Sequence, residues 1–231
     1  MAGANLWVIS KIFLFVSLVY TLVLLPPAAL LKYGILPLFL KNGYSFFLGL
    51  LLAHINLWVL LLSAVAIPGI CWRVLNLRYS GSHNLDISDK DVRHWLMTHM
   101  IYTPTAVTLD FFHLYPLKAI HIRLFGTKVG KNVVAGGLVL DPSLLEIGDN
   151  SNIGGFSTIL GHSVERGKIY FRKVTIGKNC GIGVRATVLP GVSLQDNAML
   201  GAQSLLTKNI QVPGNETFGG VPAKKIASKI K

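Results

Sequence analysis

Acidic residues are scarce in this chain, and its first third has none. Its 231 residues include 10 Asp and Glu against 22 Lys and Arg, a formal net charge of +12. The first acid is Asp86, and the only charged residues among the first 72 are Lys11, Lys32 and Lys41. Charged residues form most of a solvated surface. This segment is therefore not an ordinary soluble domain.

Cysteine is also rare, since the chain contains only Cys71 and Cys180. The two are far apart in sequence, so a disulfide framework is not expected, and no Cys-x-x-Cys or zinc-spaced His pair indicates a metal. The positive charge is not accompanied by an aromatic-basic recognition motif, which argues against nucleic acid as a partner. A basic surface beside an anionic membrane leaflet, or a phosphorylated substrate, explains it more simply.

Hydrophobic residues make up 52% of the chain, and two long stretches carry much of this excess. One runs from Leu6 to Leu31 and contains Pro26-Pro27; the other runs from Tyr44 to Trp72. Each exceeds the ~20 residues that a helix needs to cross a bilayer. The first is too long for a signal peptide. We predict a transmembrane hairpin over residues 1–72 with its connection near 32–43; a re-entrant or interfacial second segment is the alternative.

Basic residues near the predicted spans indicate the orientation. The connection carries Lys32 and Lys41, whereas more basic residues follow the second span: Arg73, Arg78, Lys90 and Arg93. The positive-inside rule therefore favours an integral membrane protein with a cytoplasmic C-terminal domain.

Residues 73–127 form a helical, amphipathic connector. Acidic residues at Asp89 and Asp91 precede an apolar face that includes Trp95 and Met100, which predicts a helix start. The segment FFHLYPLKAIHIRLFG (111–126) alternates aromatic, basic and aliphatic residues and is typical of a membrane-surface element.

A six-residue repeat governs residues 128–231. From Val129 an aliphatic residue followed by a small one recurs in units such as IGDNSN, IGGFST, IGKNCG and IGVRAT. Three units build one triangular coil of parallel strands, and about four coils are predicted. Units that start at Ala135, Asp141 and Tyr170 fit poorly. Between residues 159 and 177 the count slips by five, which predicts a loop, ERGKI, just after His162.

The stretch IGKNCGIGVRATVLPGVSLQDNAMLGAQSLLTKN, followed by GGVPAKKI, resembles the hexapeptide-repeat acyltransferase superfamily. That resemblance implies a left-handed parallel β-helix, a homotrimer with sites between subunits, and direct acyl transfer from a thioester. The whole layout also resembles one unit of the membrane-bound C-terminal region of poly-lysine-synthetase-like proteins. In that case an aminoacyl group on a carrier protein is the alternative donor to acyl-coenzyme A.

His162 is the candidate general base, because imidazole titrates near neutral pH and the superfamily places a histidine beside such a loop. Glu165 is a candidate to hold the ring or balance its charge, and Arg166 to bind an anionic substrate group; both are alternatively solvated loop charges. Asp141 occupies a repeat position where an aliphatic is expected. It either faces a substrate site at a subunit seam or begins a turn before Pro142.

For the acyl-coenzyme A donor, the resemblance implies a groove at small residues and basic contacts to phosphates. The small positions are Gly183, Ala186, Gly201 and Ala202, and the basic ones are Lys208 and Lys224. All six have simpler roles, in turning corners or in solubility.

The predicted function is a membrane-anchored acyltransferase that moves an acetyl or aminoacyl group to a hydroxyl or amine; the alternative is a non-catalytic tethered scaffold. A zinc hydro-lyase resembling the gamma carbonic anhydrases, which share this fold, is disfavoured because the later repeats lack histidine. The remaining histidines of the connector are expected at the surface or an interface: His83, His94, His99, His113 and His121.

Overall fold

Two long apolar helices form an antiparallel hairpin. The structure, a computed structural model, describes residues 2–37 and 46–226; Lys41 and the rest of the predicted connection from 38 to 43 lie outside them. Helix α1 spans Ala2–Ala29 and continues as a π-helical segment over Leu30–Ile35, and α2 spans Phe46–Val74. Both are long and apolar enough to cross a membrane, and most of their side chains are exposed.

The paired prolines do not end α1, which passes through Pro26 and Pro27 to Ala29. A proline removes one backbone donor, and in an apolar surrounding the freed groups need other partners. Asn56 in α2 donates through Nδ2 to the carbonyl of Pro27 at 2.8 Å, which ties the two helices together at this level.

The connector contains a short strand and two helices: β1 (Gly81–Asn84), α3 (Lys90–Phe111) and α4 (Tyr115–Leu124). The predicted helix start is confirmed, because the Asp89 carboxylate caps α3 by accepting from the backbone N–H groups of Asp91 and Val92. Both helices pack against α2. The buried His121 of α4 contacts the Val65 carbonyl at 3.1 Å, so this histidine is not a surface residue.

The repeat folds into a parallel β-helix with three sheets, one on each side of the coil. The first sheet contains, in spatial order, β16 (Gln211–Val212), β13 (Ser193–Leu194), β10 (Val174–Ile176), β5 (Leu145–Ile147) and β2 (Lys128–Val129). The second contains β18 (Lys224–Ile226), which is antiparallel, then β17 (Thr217–Gly219), β14 (Met199–Leu200), β11 (Gly181–Ile182), β6 (Asn152–Ile153) and β3 (Val134–Ala135). The third contains β15 (Leu205–Leu206), β12 (Thr187–Val188), β7 (Thr158–Ile159) and β4 (Leu138–Val139).

Asparagine turns many of the corners between these sheets. Asn132, Asn150, Asn179 and Asn197 all have φ between 53° and 63°, a left-handed conformation that asparagine tolerates better than most residues. Their side chains also bond between coils: Asn132 donates to Asn150, and Asn179 to Asn197, each at 3.1 Å. At these corners asparagine thus sets the turn and ties neighbouring coils together.

The interruption after His162 is a β-hairpin rather than a plain loop. Strands β8 (His162–Glu165) and β9 (Lys168–Phe171) are joined by a two-residue turn, and β1 pairs with β9 to complete a three-stranded antiparallel sheet. Thr175 pairs with Glu146, 29 residues earlier, but with Ser193 only 18 residues later. The difference of 11 residues is one hexapeptide unit more than the predicted slip of five, because Tyr170 and Phe171 belong to β9 of the hairpin and not to a strand of the coil.

Asp141 does not occupy an inward position of the coil. Val139 takes that place, paired with Ile159, and Asp141 precedes a single 3-10 turn over Pro142–Leu144. Asp141 thus begins a turn before Pro142, as one of the two alternatives from the sequence predicted. The turn also aims the carboxylate at the root of the hairpin, where His162 lies.

Candidate active site

His162 stands where the coil gives way to the hairpin, at the first position of β8. Its Nδ1 lies 2.7 Å from Oδ2 of Asp141, and its side chain is 15% exposed while that of Asp141 is fully buried. An imidazole that donates from Nδ1 to a carboxylate keeps the Nε2 lone pair available. The pair therefore has the geometry of a candidate histidine base oriented by a buried acid.

Two other polar groups contact the Asp141 carboxylate. The Gly161 N–H donates to Oδ2 at 2.8 Å, and the Tyr79 hydroxyl donates to Oδ1 at 3.2 Å. Burial alone would raise the pKa of Asp141, but the hydrogen bond from His162, the nearby charge of both His162 and His99 and the Gly161 N–H together lower it. Asp141 is accordingly ionised in the folded protein at neutral pH.

Helix α3 covers the imidazole with two aromatic rings. The ring centroid of Trp95 is 4.9 Å and that of His99 is 5.4 Å from the centroid of His162, both edge-on. His99 was expected at a surface or interface, so its position against the candidate base is a correction. Burial lowers the pKa of His99, with the charge of Asp141 opposing that shift. Trp95 and His99 are four residues apart, so the predicted helix already indicated that both side chains lie on one face.

The cluster has the composition of a possible metal site. His99, Asp141 and His162 each offer one ligand atom within 4.8 Å of the others. The sequence-based case against zinc rested on the repeat histidines alone. His99, which the connector places beside His162, was not included. In the structure, however, the Asp141 carboxylate and the His162 Nδ1 bond directly to each other, the arrangement of an acid–base pair.

The other residues predicted around the base lie farther along the hairpin. Glu165 forms an ion pair with Lys208, in the turn after β15, so it is Asp141, and not Glu165, that contacts the imidazole. Arg166 occupies the exposed hairpin turn at φ 49°. Lys208, which was predicted to meet a phosphate, pairs in this structure with Glu165 of the hairpin.

The residues predicted for the donor lie on the third and fourth coils and at the C-terminal end. Gly183 faces the backbone of Ala202, and a Cβ there would lie 2.3 Å from the Ala202 nitrogen, so glycine is required for coil stacking. The side chain of Ala186 is fully buried, whereas Gly201 is half-buried and Ala202 is exposed. Lys224 begins β18 and is exposed.

Comparison with known proteins places the repeat in an enzyme family. A family model described as the hexapeptide repeat of succinyl-transferase matches residues 173–208. Galactoside O-acetyltransferase of Escherichia coli is 36% identical over 107 residues, covering 42% of this chain and 52% of that protein. The chain thus spans about half the length of this relative.

Two further matches cover most of the other protein. An Escherichia coli protein named as the colanic acid biosynthesis acetyltransferase WcaF is 31% identical over 144 residues, which are 51% of this chain and 78% of that one. A solved hexapeptide-repeat acetyltransferase of Vibrio cholerae, complexed with acetyl coenzyme A, has a TM-score of 0.49 and 15% identity, covering 68% of this chain and 98% of that one. On the match to WcaF and the repeat, the chain belongs to the hexapeptide-repeat acyltransferase superfamily.

Proposed function

We propose that this protein is a membrane-anchored acetyltransferase that moves an acetyl group from acetyl-coenzyme A to a hydroxyl or amine near the membrane, with His162 as the general base. The contact of 2.7 Å between His162 Nδ1 and the buried Asp141 carboxylate carries the proposal. It leaves Nε2 as the one ring nitrogen able to receive a proton.

The reaction follows from that geometry. Nε2 of His162 removes the proton of the acceptor hydroxyl while the oxygen attacks the thioester carbonyl, and the imidazolium is stabilised by the ionised Asp141. When the tetrahedral adduct collapses, the carbon–sulfur bond breaks and the imidazolium returns the proton to the thiolate. The products are the acetyl ester and free coenzyme A, and no acyl-enzyme is formed.

Family membership supports the donor, the left-handed coil and the trimer. In a trimer, the pantetheine arm would lie in a groove between subunits, along backbone groups at Gly183, Gly201 and Ala202. Ala186 would contribute only backbone, because its side chain is buried. Of the two predicted phosphate contacts, Lys224 is exposed at the edge of the second sheet, whereas Lys208 would have to leave Glu165.

The test is turnover by the full-length protein in detergent or nanodiscs with radiolabelled acetyl-coenzyme A and simple glycosides. His162→Asn should lower kcat by about 10²–10⁴-fold, the usual contribution of a positioned general base, while near-unchanged circular dichroism shows that the fold is kept. Equal rates for wild type and variant would refute the base. A wild type that binds acetyl-coenzyme A but never transfers the acetyl group would favour the scaffold alternative.

A further inference from the structure

One face of α3 carries a row of buried polar groups that lack partners among the described residues. These are Trp95 Nε1, His99 Nε2 and the Thr103 hydroxyl. Residues four apart lie on one side of a helix, and the first two rings contact His162 directly. Leaving a buried polar group unpaired is unfavourable. A row of three beside a candidate base therefore indicates a ligand with several hydrogen-bonding groups.

The row offers both kinds of hydrogen-bonding group. His99 Nδ1 contacts the Trp95 carbonyl at 3.2 Å and so carries the ring proton, which leaves Nε2 as an acceptor. Trp95 Nε1 is a donor, and the Thr103 hydroxyl is both. Donor, acceptor and hydroxyl in sequence match the hydroxyl groups of a sugar-like polyol, each of which donates and accepts. They match a carboxylate or a phosphate poorly, because those groups only accept.

The same face of α3 leads into an apolar cavity of about 290 Å³. Val107, Asp110 and Phe111 line one wall, and Leu138 and Phe156 of the β-helix line another. Val107 lies eight residues beyond His99, roughly 12 Å along the helix. The only acid in the lining is paired: Asp110 bonds to the fully buried Lys118, which also donates to the Gly137 carbonyl. His113 and Tyr115 also line the cavity, and the rest of its lining is mostly apolar.

The mouth of this cavity lies beside the predicted membrane spans. Helix α3 runs antiparallel to the end of α2: the Trp72 indole donates to Thr98 at 3.1 Å, and the Thr105 hydroxyl donates to the Ala64 carbonyl at 3.3 Å. In this register the C-terminal end of α3, with Phe111, points away from Trp72 towards the middle of α2. Phe111 is 75% exposed and Phe156 is 72% exposed. Such side chains are suited to contact lipid.

We propose that this face of α3 is the acceptor site, and that the acceptor is a lipid-linked polyol. Its hydroxyl-bearing head binds along Trp95, His99 and Thr103, with one hydroxyl at His162 Nε2, and its hydrocarbon chain occupies the cavity that ends at Phe111 and Phe156. This inference rests on the proposed function. It adds the chemical class of the acceptor and the direction, from the bilayer, in which it arrives.

The experiment compares alkyl glucosides that share one head and differ in chain length, from methyl to octyl, with the full-length protein in phosphatidylcholine nanodiscs and radiolabelled acetyl-coenzyme A. Each methylene removed from water contributes a factor of about four. Burial of even two or three should raise kcat/KM at least tenfold from methyl to octyl. An octyl glucoside with a diazirine at the chain end should label peptides that contain Phe111 or Phe156.

Matched variants separate the cavity from general partition into the bilayer. Phe156→Asp charges the mouth and suits the backbone, because Phe156 sits at φ 58°, where aspartate is better tolerated. It should abolish the dependence on chain length, so that octyl and methyl glucoside react with similar kcat/KM. Phe112→Asp is the control, since Phe112 is also exposed but does not line the cavity. Thr103→Val should lower kcat/KM about equally for every chain length.

The outcomes distinguish this inference from the proposed function. Transfer that rises with chain length equally in wild type and both aspartate variants would reflect partition alone and would overturn the cavity. Transfer independent of chain length would overturn it while leaving the acetyltransferase intact. If no glycoside is acetylated, photolabelling decides. Labels at Phe111 or Phe156 would support the proposed binding site, and labels only at other residues would overturn it.

Discussion

At the scale of single residues, the proposed reaction depends on the buried carboxylate of Asp141 as much as on the imidazole of His162. Asp141 accepts from His162, Gly161 and Tyr79, so its position is determined on three sides. Glu165 is closer in sequence but points to Lys208. Changing each of the two carboxylates to its amide should therefore have very different effects on kcat.

We expect Asp141→Asn to lower kcat by about 10²–10⁴-fold, because an amide can stabilise the wrong tautomer and cannot stabilise the imidazolium. Glu165→Gln should change kcat less than about threefold, since exposed ion pairs contribute little. Steady-state rates with acetyl-coenzyme A, together with melting curves of both proteins, would check this. A large loss with Glu165→Gln alone would reverse the assignment.

His99 predicts a pH dependence of stability. Burial lowers its pKa in the folded protein, with Asp141 opposing, so below the unfolded value near 6.5 the unfolded chain binds more protons. Stability should therefore be full above about pH 7 and fall as the pH drops through the lowered pKa. The pKa of Asp141 is also lowered, so its own contribution is lost only in stronger acid.

The measurement is the melting temperature between pH 7.5 and 5.5. Wild type should melt lower at pH 5.5, and His99→Gln, which has no proton to gain, should show a flatter curve. His94→Gln is the control, because His94 is also on α3 but bonds the Arg78 carbonyl away from the site. An unchanged slope in His99→Gln would mean that the ring is not the group responsible.

At the scale of elements, the hairpin β8–β9 carries the base, and its turn depends on one glycine. Arg166 and Gly167 have φ of 49° and 74°, the two positive values of the tight turn that suits a hairpin. Gly167→Val forces a branched side chain into that conformation, at a cost of about 1–2 kcal/mol. Amides of β8 and β9 should then exchange faster, and kcat should fall because His162 opens β8.

The control for that variant is Gly155→Ala. Its φ is not in the positive range, and a Cβ there would meet no atom closer than 3.9 Å. Hydrogen exchange followed by mass spectrometry should leave the hairpin protected in Gly155→Ala. Unchanged exchange in both proteins would show that the turn does not limit the hairpin.

The elements also show which parts of the fold could be predicted from the sequence. A six-residue period with aliphatic and small positions was sufficient to predict the coil, because each coil repeats the same local constraints. The period predicted only a loop after His162 and not its strands, and it left the turn at Asp141 as one of two alternatives, since a period describes only what repeats. The contact between His99 and His162 was not predictable either, because it depends on how α3 packs against the β-helix. That docking is a tertiary arrangement that no local pattern encodes.

At the scale of the whole molecule, the helices and the β-helix share one hydrophobic core. Buried side chains run without a break from Ile12 and Val19 of α1, through Ile101 of α3, to Ala135 and Ile153 of the first coils. The apolar helices are therefore packed together with the β-helix and are not a separate unit. They complete the packing of the helix that covers His162.

Removal of residues 2–74 tests this continuity. The truncated chain would expose the apolar face of α3, including Ile101 and Ala106, which are now fully buried. We expect it to aggregate or to bind hydrophobic dyes, and to lose activity even with a soluble acceptor. A monodisperse, active truncation would show that the β-helix functions independently of the apolar helices.

Orientation in the membrane gives the last prediction. Because α1 and α2 form an antiparallel hairpin and the basic residues follow α2, the β-helix should lie in the cytoplasm and the Lys32 end of α1 across the bilayer. In intact spheroplasts, a membrane-impermeant maleimide should label Lys32→Cys but not Lys131→Cys. Lys131 lies on an exposed corner of the first coil, so permeabilisation should make it reactive. Cys71 and Cys180 are first changed to serine and alanine to remove background. Labelling of both engineered cysteines in inverted vesicles, with neither in spheroplasts, would mean that α1 does not span the bilayer and only inserts from the cytoplasmic face.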